Sequence, residues 1–298
     1  MSSPHTSGRG AADAELNAND PALVPPSGRG RLLAGHGALT ASISTVAFIV
    51  LIGVLAVLSP GSHKVQQVFF SPHHFAQSAG PVWHGFLINI KIMVVAEIVV
   101  LVLALGIAIL RGLPGPAAFP LRALAVVYTD VFRGIPLILV VFIVGLGLPG
   151  LQLRWISTQS VFVYGTIALI LVYSAYVTEV YRAGIESVHA SQVAAARSLG
   201  LTHWQTQRHV VLPQAVRRVI PPLLNDFIGL QKDTALVGTL GAIEAFQQSQ
   251  IDANATFNFT AYLAAAVLFV AITIPLARFT DWLTARDRRR RQAGGATP

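Results

Sequence analysis

Cysteine is absent from the 298 residues, lysine occurs only at positions 64, 91 and 232, and charged residues make up 11% of the chain. The first absence excludes disulfides, thiolate metal sites and cysteine nucleophiles. No lysine follows a glycine, so there is no phosphate-binding G-x-x-x-x-G-K-[ST] loop. The scarcity of charge, against 53% hydrophobic residues, excludes an ordinary soluble domain, in which about a quarter of residues are charged. The His73-His74 doublet lacks a third ligand at helical or loop spacing and is read as solvated, so no metal site is expected.

What the chain does have is apolar length. A bilayer span needs ~20 apolar residues. Stretches near 41–58, 84–110, 122–148, 161–181 and 259–280 qualify, with a weaker one near 214–235. The expectation is an all-α membrane protein of six transmembrane helices. The stretch 41–58 follows too long a polar segment to be a signal peptide and is read as a retained span. Residues 1–34 are rich in Gly, Pro, Ser, Ala and Asn. They bury too little to offset ordering entropy, so 1–40 is expected to be a disordered tail.

Basic residues retained on the cytoplasmic side set orientation. With the N-terminus inside, that side holds Arg9, Arg29, Arg31, Arg111, Arg122, Arg182, Arg197, Arg208, Arg217, Arg218, Arg278 and Arg286 with the 288–291 run. The other side, including a loop over 59–83, holds only Lys64 and Arg154. Both termini are therefore expected in the cytoplasm, with 286–298 a basic tail there. The net charge of +8 answers to this topology and to anionic headgroups, and no nucleic acid is implied.

Between the apolar stretches stands ASQVAAARSLGLTHWQTQRHVVLPQAVRR. Its Ala-rich run favours a short helix, with the Ser191 hydroxyl as N-cap and Gly200 as the left-handed residue that ends it. Thr202 followed by Gln205 is a capping-box signature, so a second helix starts there and is expected to run until Pro213. That helix is too polar to enter lipid. It lies on a lipid surface or docks a protein, and composition leaves both open.

The spacing Ala195-Ala196, Gly200, Val210, Leu212-Pro213 resembles the EAA loop of permease subunits of ATP-binding-cassette (ABC) importers. VYTDVFRGIPLIL, YGTIALILVYSAYVTEVYRAGIESV and LPQAVRRVIPPLLNDFIGLQKDTALVG are similar to the polar amino-acid uptake permeases. The resemblance covers about residues 84–285. It implies a five-span core there, preceded by the extra span 41–58, in a bacterial cytoplasmic (inner) membrane. It also implies a coupling loop over 187–213, with Ser191, Gln192, Ala194, Ala195, Ala196, Gly200, Thr202, Leu212 and Pro213 as coupling residues. ATP would be bound by a separate ABC ATPase subunit, so this chain needs no cofactor. An extracytoplasmic solute-binding protein would deliver the solute. One chain offers one coupling loop, so a homodimer or a second permease subunit is expected. Ala194 departs from the family's usual Glu, and Ala235 from its Ser.

Pro221, Pro222, Asn225, Asp226, Lys232 and Asp233 would be costly facing lipid, and mark a broken helix that is buried or lines a cavity. Arg218, Pro222, Asn225, Gly229 and Lys232 share one helical face. That face borders either the solute pathway or a second permease, or its polar groups satisfy one another. Lys232 and Asp233 are expected to compensate each other. Glu97 interrupts an apolar run and must point inward, on the face of Asn89 and Met93. It either contacts a cationic group of the solute or pairs with Arg133, the second reading being favoured because consecutive spans are neighbours. Pro136 is expected to kink the span that holds Arg133. The Gly145, Gly147, Gly150 cluster reads as a span end. The pathway set is thus Glu97, Arg133, Arg218, Pro222, Asn225, Lys232 and Asp233. A rival reading is an ion-driven secondary transporter of a small polar solute with Glu97 and Asp226 as proton sites; it predicts an internal repeat, and none is detected.

Overall fold

A computed structural model describes residues 29–294, with side chains over 40–286 except residue 56. The tail expected over 1–28 lies outside the described residues. All regular elements among the described residues are helical, and they fall into two compact units divided at Val65. In the first unit, α1 (Arg29–Leu58) begins inside the segment expected to be tail. Its portion Thr40–Leu55 is apolar. Helix α2 (Ser62–Phe69) straddles the division.

In the second unit, α3 (Pro72–Arg111) starts where the Ser71 hydroxyl accepts the His74 N–H and proline occupies the first turn. The expected span over 122–148 is broken into α4 (Phe119–Gly134) and α5 (Leu137–Gly150), which meet at 108°. Pro136 forces Ile135 into extended backbone at ψ 131°, so the proline breaks the span rather than kinking it. Helix α6 (Val161–Glu186) packs on α3, α4 and α5. After the loop containing α7 (Ala190–Ser198) and α8 (His203–Thr206) comes α9 (Leu212–Asp233), which packs on α6 and α11. A 3-10 turn (Thr234–Leu240), α10 (Ala245–Thr256) and α11 (Thr260–Gly294) complete the chain.

Helix α9 runs without interruption through Pro221 and Pro222. The break expected there comes later, where the helix tightens after Asp233 and Gly241 ends the turn at φ 88°. Among the described residues three helices are long and apolar enough to cross a membrane, or four if the bent pair α4–α5 forms one span. The proline-bearing α9 covers the weaker stretch read as a span and falls short of that test, and the described apolar part of α1 is Thr40–Leu55. The core lies where α3, α6 and α9 meet, around Met93, Val100, Leu169, Val177 and Leu230. Lipid tails are as apolar as these side chains, so close packing rather than water exclusion must hold the helices together. Glycines allow that approach. A Cβ at Gly184 would run into Val219, and one at Gly145 would meet Leu240 at 2.5 Å, while Gly150, the last of the expected cluster, ends α5.

Candidate coupling loop and polar cleft

The loop after α6 is held by short-range devices. The N-cap of α7 is His189, whose Nδ1 accepts the Ser191 N–H at 3.3 Å. The cap expected at Ser191 is therefore displaced by two residues, and the Ser191 hydroxyl bonds the same imidazole at 2.7 Å. At the other end the Leu201 N–H reaches Ala196 O at 3.2 Å and the Gly200 N–H reaches Arg197 O at 3.0 Å, with Gly200 at φ 83°. This is a Schellman closure, and it needs the left-handed residue the sequence supplies. The capping box is present on both sides: Gln205 N–H donates to Thr202 Oγ1 at 3.2 Å, and Thr202 N–H to Gln205 Oε1 at 2.8 Å.

Pro213 does not end the second helix. Residues Gln207–Val211 widen into a π turn, so that Leu212 N–H bonds Gln207 O and Pro213 falls in the first turn of α9, where its missing N–H is tolerated. Ala196, Thr206 and Val211 turn inward as the loop's own small core. Ser191, Gln192, Ala194, Ala195, Gly200, Thr202, Leu212 and Pro213 are exposed, as are Leu199 and Trp204. The two feet of the loop are tied together: Arg218 Nη1 donates to Ser187 O, and Gln214 Nε2 donates to Gln192 Oε1 at 2.8 Å.

Beside the loop, Glu179 on α6 gathers the basic residues. Its Oε1 pairs with Arg111 of α3 and stands 4.0 Å from Arg133 of α4, and its Oε2 is 2.8 Å from Arg182. Arg111 also donates to the Oγ1 of the fully buried Thr129 at 2.9 Å. Only the Arg111–Glu179 pair is well shielded, with side-chain exposures of 16% and 15%; Arg133 and Arg182 are over a third exposed, and each adds ~0–1 kcal/mol. Arg133 therefore does not pair with Glu97. It faces Glu179 and lies over the Tyr176 ring, 5.9 Å from the centroid.

A cleft of about 520 Å³ opens between α4, α6 and α9, lined by Arg133, Tyr176, Glu179, Arg218, Pro222 and Asp226 among others. It unites three of the seven predicted pathway residues. Glu97 is half-buried on α3 outside that lining, without a hydrogen bond or ion pair, and within electrostatic reach of Asp226. Asn225 and Lys232 are exposed on the surface of α9. The Lys232 charge reaches the Asp233 carboxylate, as expected of the pair, without a hydrogen bond or ion pair between them. Asp233 Oδ2 accepts its hydrogen bond from the Tyr173 hydroxyl at 2.7 Å.

Sequence reading assigned no role to Glu179 or Glu244. Glu179 has a local signal, since Arg182 follows at three residues. Glu244 has none. It is 0% exposed and caps α10: Oε2 accepts the Phe246 N–H at 2.9 Å, and Oε1 the Gln247 N–H at 2.8 Å. Asn89 of α3 donates Nδ2 to Glu244 Oε2 at 2.9 Å and to Thr234 Oγ1 at 3.1 Å, while its Oδ1 accepts the Ala245 N–H at 3.1 Å. Burial pushes the Glu244 carboxyl above its ordinary value, against the downward pull of these donors. Gly238 and Gly85 leave the room this requires: a Cβ at Gly238 would strike Glu244 Oε1, and one at Gly85 would lie 2.7 Å from Ala245 N.

The sequence and the helical fold have known relatives. Residues 105–290 match the family described as binding-protein-dependent transport system inner membrane component. The chain belongs to that family. The permease is 35% identical over 203 residues to the probable glutamine ABC transporter permease protein GlnM of Bacillus subtilis, covering 68% of this chain and 91% of the relative. The probable amino-acid ABC transporter permease protein PatM of Vibrio harveyi is 36% identical over 167 residues, covering 56% and 74%. Among solved structures, one described as an amino acid ABC transporter with histidines superposes with a TM-score of 0.65 at 29% identity, over 71% of this chain and 96% of that one. An inward-facing MetNI methionine ABC transporter shares the fold, with a TM-score of 0.57 at 20% identity, over 68% and 95%. The permease is thus the membrane-spanning subunit of an ABC importer, a transport component.

Proposed function

We propose that the permease carries polar amino acids inward by alternating access, driven by a separate ABC ATPase subunit that engages the 187–213 loop. The observation that carries this reading is the loop itself. Its frame is locked by the Schellman closure and the capping box, while Leu199 and Trp204 are 84% and 70% exposed on a polar helix pair. Exposed apolar anchors on a rigid polar frame suit a protein partner better than lipid. Exposed Ser191, Gln192, Ala194, Ala195, Thr202, Leu212 and Pro213 supply the docking face, and Gly200 and Ala196 hold its shape. The relatives' names support amino acids as cargo.

The rest of the assignment follows from charge and stoichiometry. The distribution of Arg residues supports a cytoplasmic loop and cytoplasmic termini. The transport core is 84–285, with 41–58 an added span and 286–298 a basic tail. A solute-binding protein delivers cargo at the opposite face, as the family's description supports. One coupling loop per chain calls for a homodimer or a second permease subunit. The solute path follows the cleft of Arg133, Tyr176, Arg218, Pro222 and Asp226 and the exposed face of α9 with Asn225 and Lys232. Glu97, unpaired, is free to meet a cationic group of the solute.

The test is ATP-dependent uptake of labelled amino acids into proteoliposomes holding the permease, its ATPase and its binding protein, with wild type compared to Gly200→Pro. Proline cannot adopt φ 83° and removes the N–H bonded to Arg197 O. Loss of uptake and of ATPase co-purification in the variant is expected. Uptake without any ATPase, or full activity in the variant, would put the ion-driven reading in its place.

A further inference from the structure

We infer that a pocket beside the coupling loop binds the phosphate headgroup and acyl chain of an anionic phospholipid. The pocket encloses about 820 Å³ between the C-terminal ends of α3 and α6 and the start of α4. Its walls divide by chemistry. Ala108, Phe119, Val126, Val127 and Ile185 form an apolar trough, while Arg111, Arg122 and Arg182 stand along it with Glu186 as the single acidic lining residue. Arg111 and Arg182 are partly neutralised by Glu179, and Arg182 also pairs with Glu186.

Arg122 is different. Its Nη1 donates to Leu113 O at 2.7 Å and Gly115 O at 2.9 Å, and it makes no ion pair, so Nη2 and Nε keep their donors and the side chain keeps its charge. A net positive mouth on an apolar trough complements a group that is anionic at one end and apolar at the other. Basic pockets between membrane helices on the cytoplasmic side take such headgroups. The trough also continues into the exposed apolar face of α4, where Leu124 and Val127 are 68% and 57% exposed, which gives an acyl chain a route out to the bilayer. A free phosphate would use the arginines and leave the trough empty. The placement in the inner leaflet rests on the orientation proposed above; the pocket does not. Because α6 leads from this pocket directly into the loop, an occupant bears on the foot of the coupling element.

The test is native mass spectrometry of the purified permease–ATPase complex, exchanged with equal amounts of phosphatidylglycerol and phosphatidylethanolamine carrying the same acyl chains. Retention of phosphatidylglycerol is expected to exceed that of phosphatidylethanolamine, and Arg122→Gln to reduce it about fivefold, the worth of one basic residue near a membrane surface. Arg122 also holds the 113–115 turn, so Val127→Trp, which fills the trough and touches no hydrogen bond, provides a second variant and is expected to lower retention as well. Equal retention of the two lipids, or no change in both variants, overturns the assignment. Displacement by inorganic phosphate alone, unaffected by Val127→Trp, overturns the lipid and leaves an anion site. None of these readouts requires transport, so a failed uptake assay and a failed lipid assay remain distinct.

Discussion

Removing the Glu244 side chain tests a fully buried polar junction in the permease. Glu244→Ala deprives the Phe246 and Gln247 amides of their acceptor and leaves Asn89 Nδ2 with Thr234 Oγ1 alone. Loss of an N-cap costs ~1–2 kcal/mol, and loss of a hydrogen bond to a charged group ~1.5–3 kcal/mol. The donors share one carboxylate and the first turn can relax, so these figures overlap and the expected total is about 3 kcal/mol. For a chain of this size that is a fall of about 6–12 °C in melting temperature. The assay is retention of the monodisperse peak in detergent after heating, for four proteins: wild type, Glu244→Ala, Gly238→Ala and the double variant. A Cβ at Gly238 collides with Glu244 Oε1, so Gly238→Ala is expected to destabilise the wild type and to cost much less once Glu244 is alanine. Strict additivity of the two losses, or a melting point for Glu244→Ala within about 2 °C of wild type, would refute the reasoning.

Three further expectations concern the loop and its surroundings. Gly200→Ala keeps open space around the new Cβ but must hold φ 83°, at a cost of about 1–2 kcal/mol; ATPase co-purification is expected to weaken without loss of folded permease. Glu179→Gln leaves Arg111 without its shielded partner and is expected to cost about 3 kcal/mol, read as thermal stability, whereas Glu186→Gln, on a pair over a third exposed, is expected to change it by less than about 1 kcal/mol. Gly184→Ala drives a methyl into Val219 where α6 meets α9, and is expected to lower stability by about 1–3 kcal/mol; pairing it with Val219→Ala restores most of the loss.

The parts of the fold that depend on a few adjacent residues were legible in the sequence. Gly200 could be read because one backbone angle decides a Schellman closure, Thr202 and Gln205 because a capping box spans four positions, and Pro136 because it constrains its own neighbour. What escaped depends on partners far apart in the chain. Arg133 was matched with Glu97 on the rule that consecutive spans are neighbours, but α6 lies against both α3 and α4, and its Glu179 is the carboxylate that Arg133 and Arg111 reach. Asp233 finds its hydrogen-bond donor in Tyr173, sixty residues away. The Asn89–Glu244 junction joins residues 155 apart and leaves no local trace. Pro213 was legible as a disturbance but not in kind, since a π turn absorbs it without ending the helix.

The tie across the feet of the loop has a mechanical consequence. With Arg218 bonded to Ser187 O and Gln214 to Gln192, and with Gly184 seated against Val219 just beyond them, α6 and α9 are tied together at the loop end. For the ATPase docking proposed above, the loop would be a yoke. Force applied to its exposed crest would reach both helices as one load and tend to move the pair together. Arg111, the shielded partner of Glu179, joins that pair of helices to α3, so the seam along which the subunit would yield is not expected between α3 and α6 at the loop end.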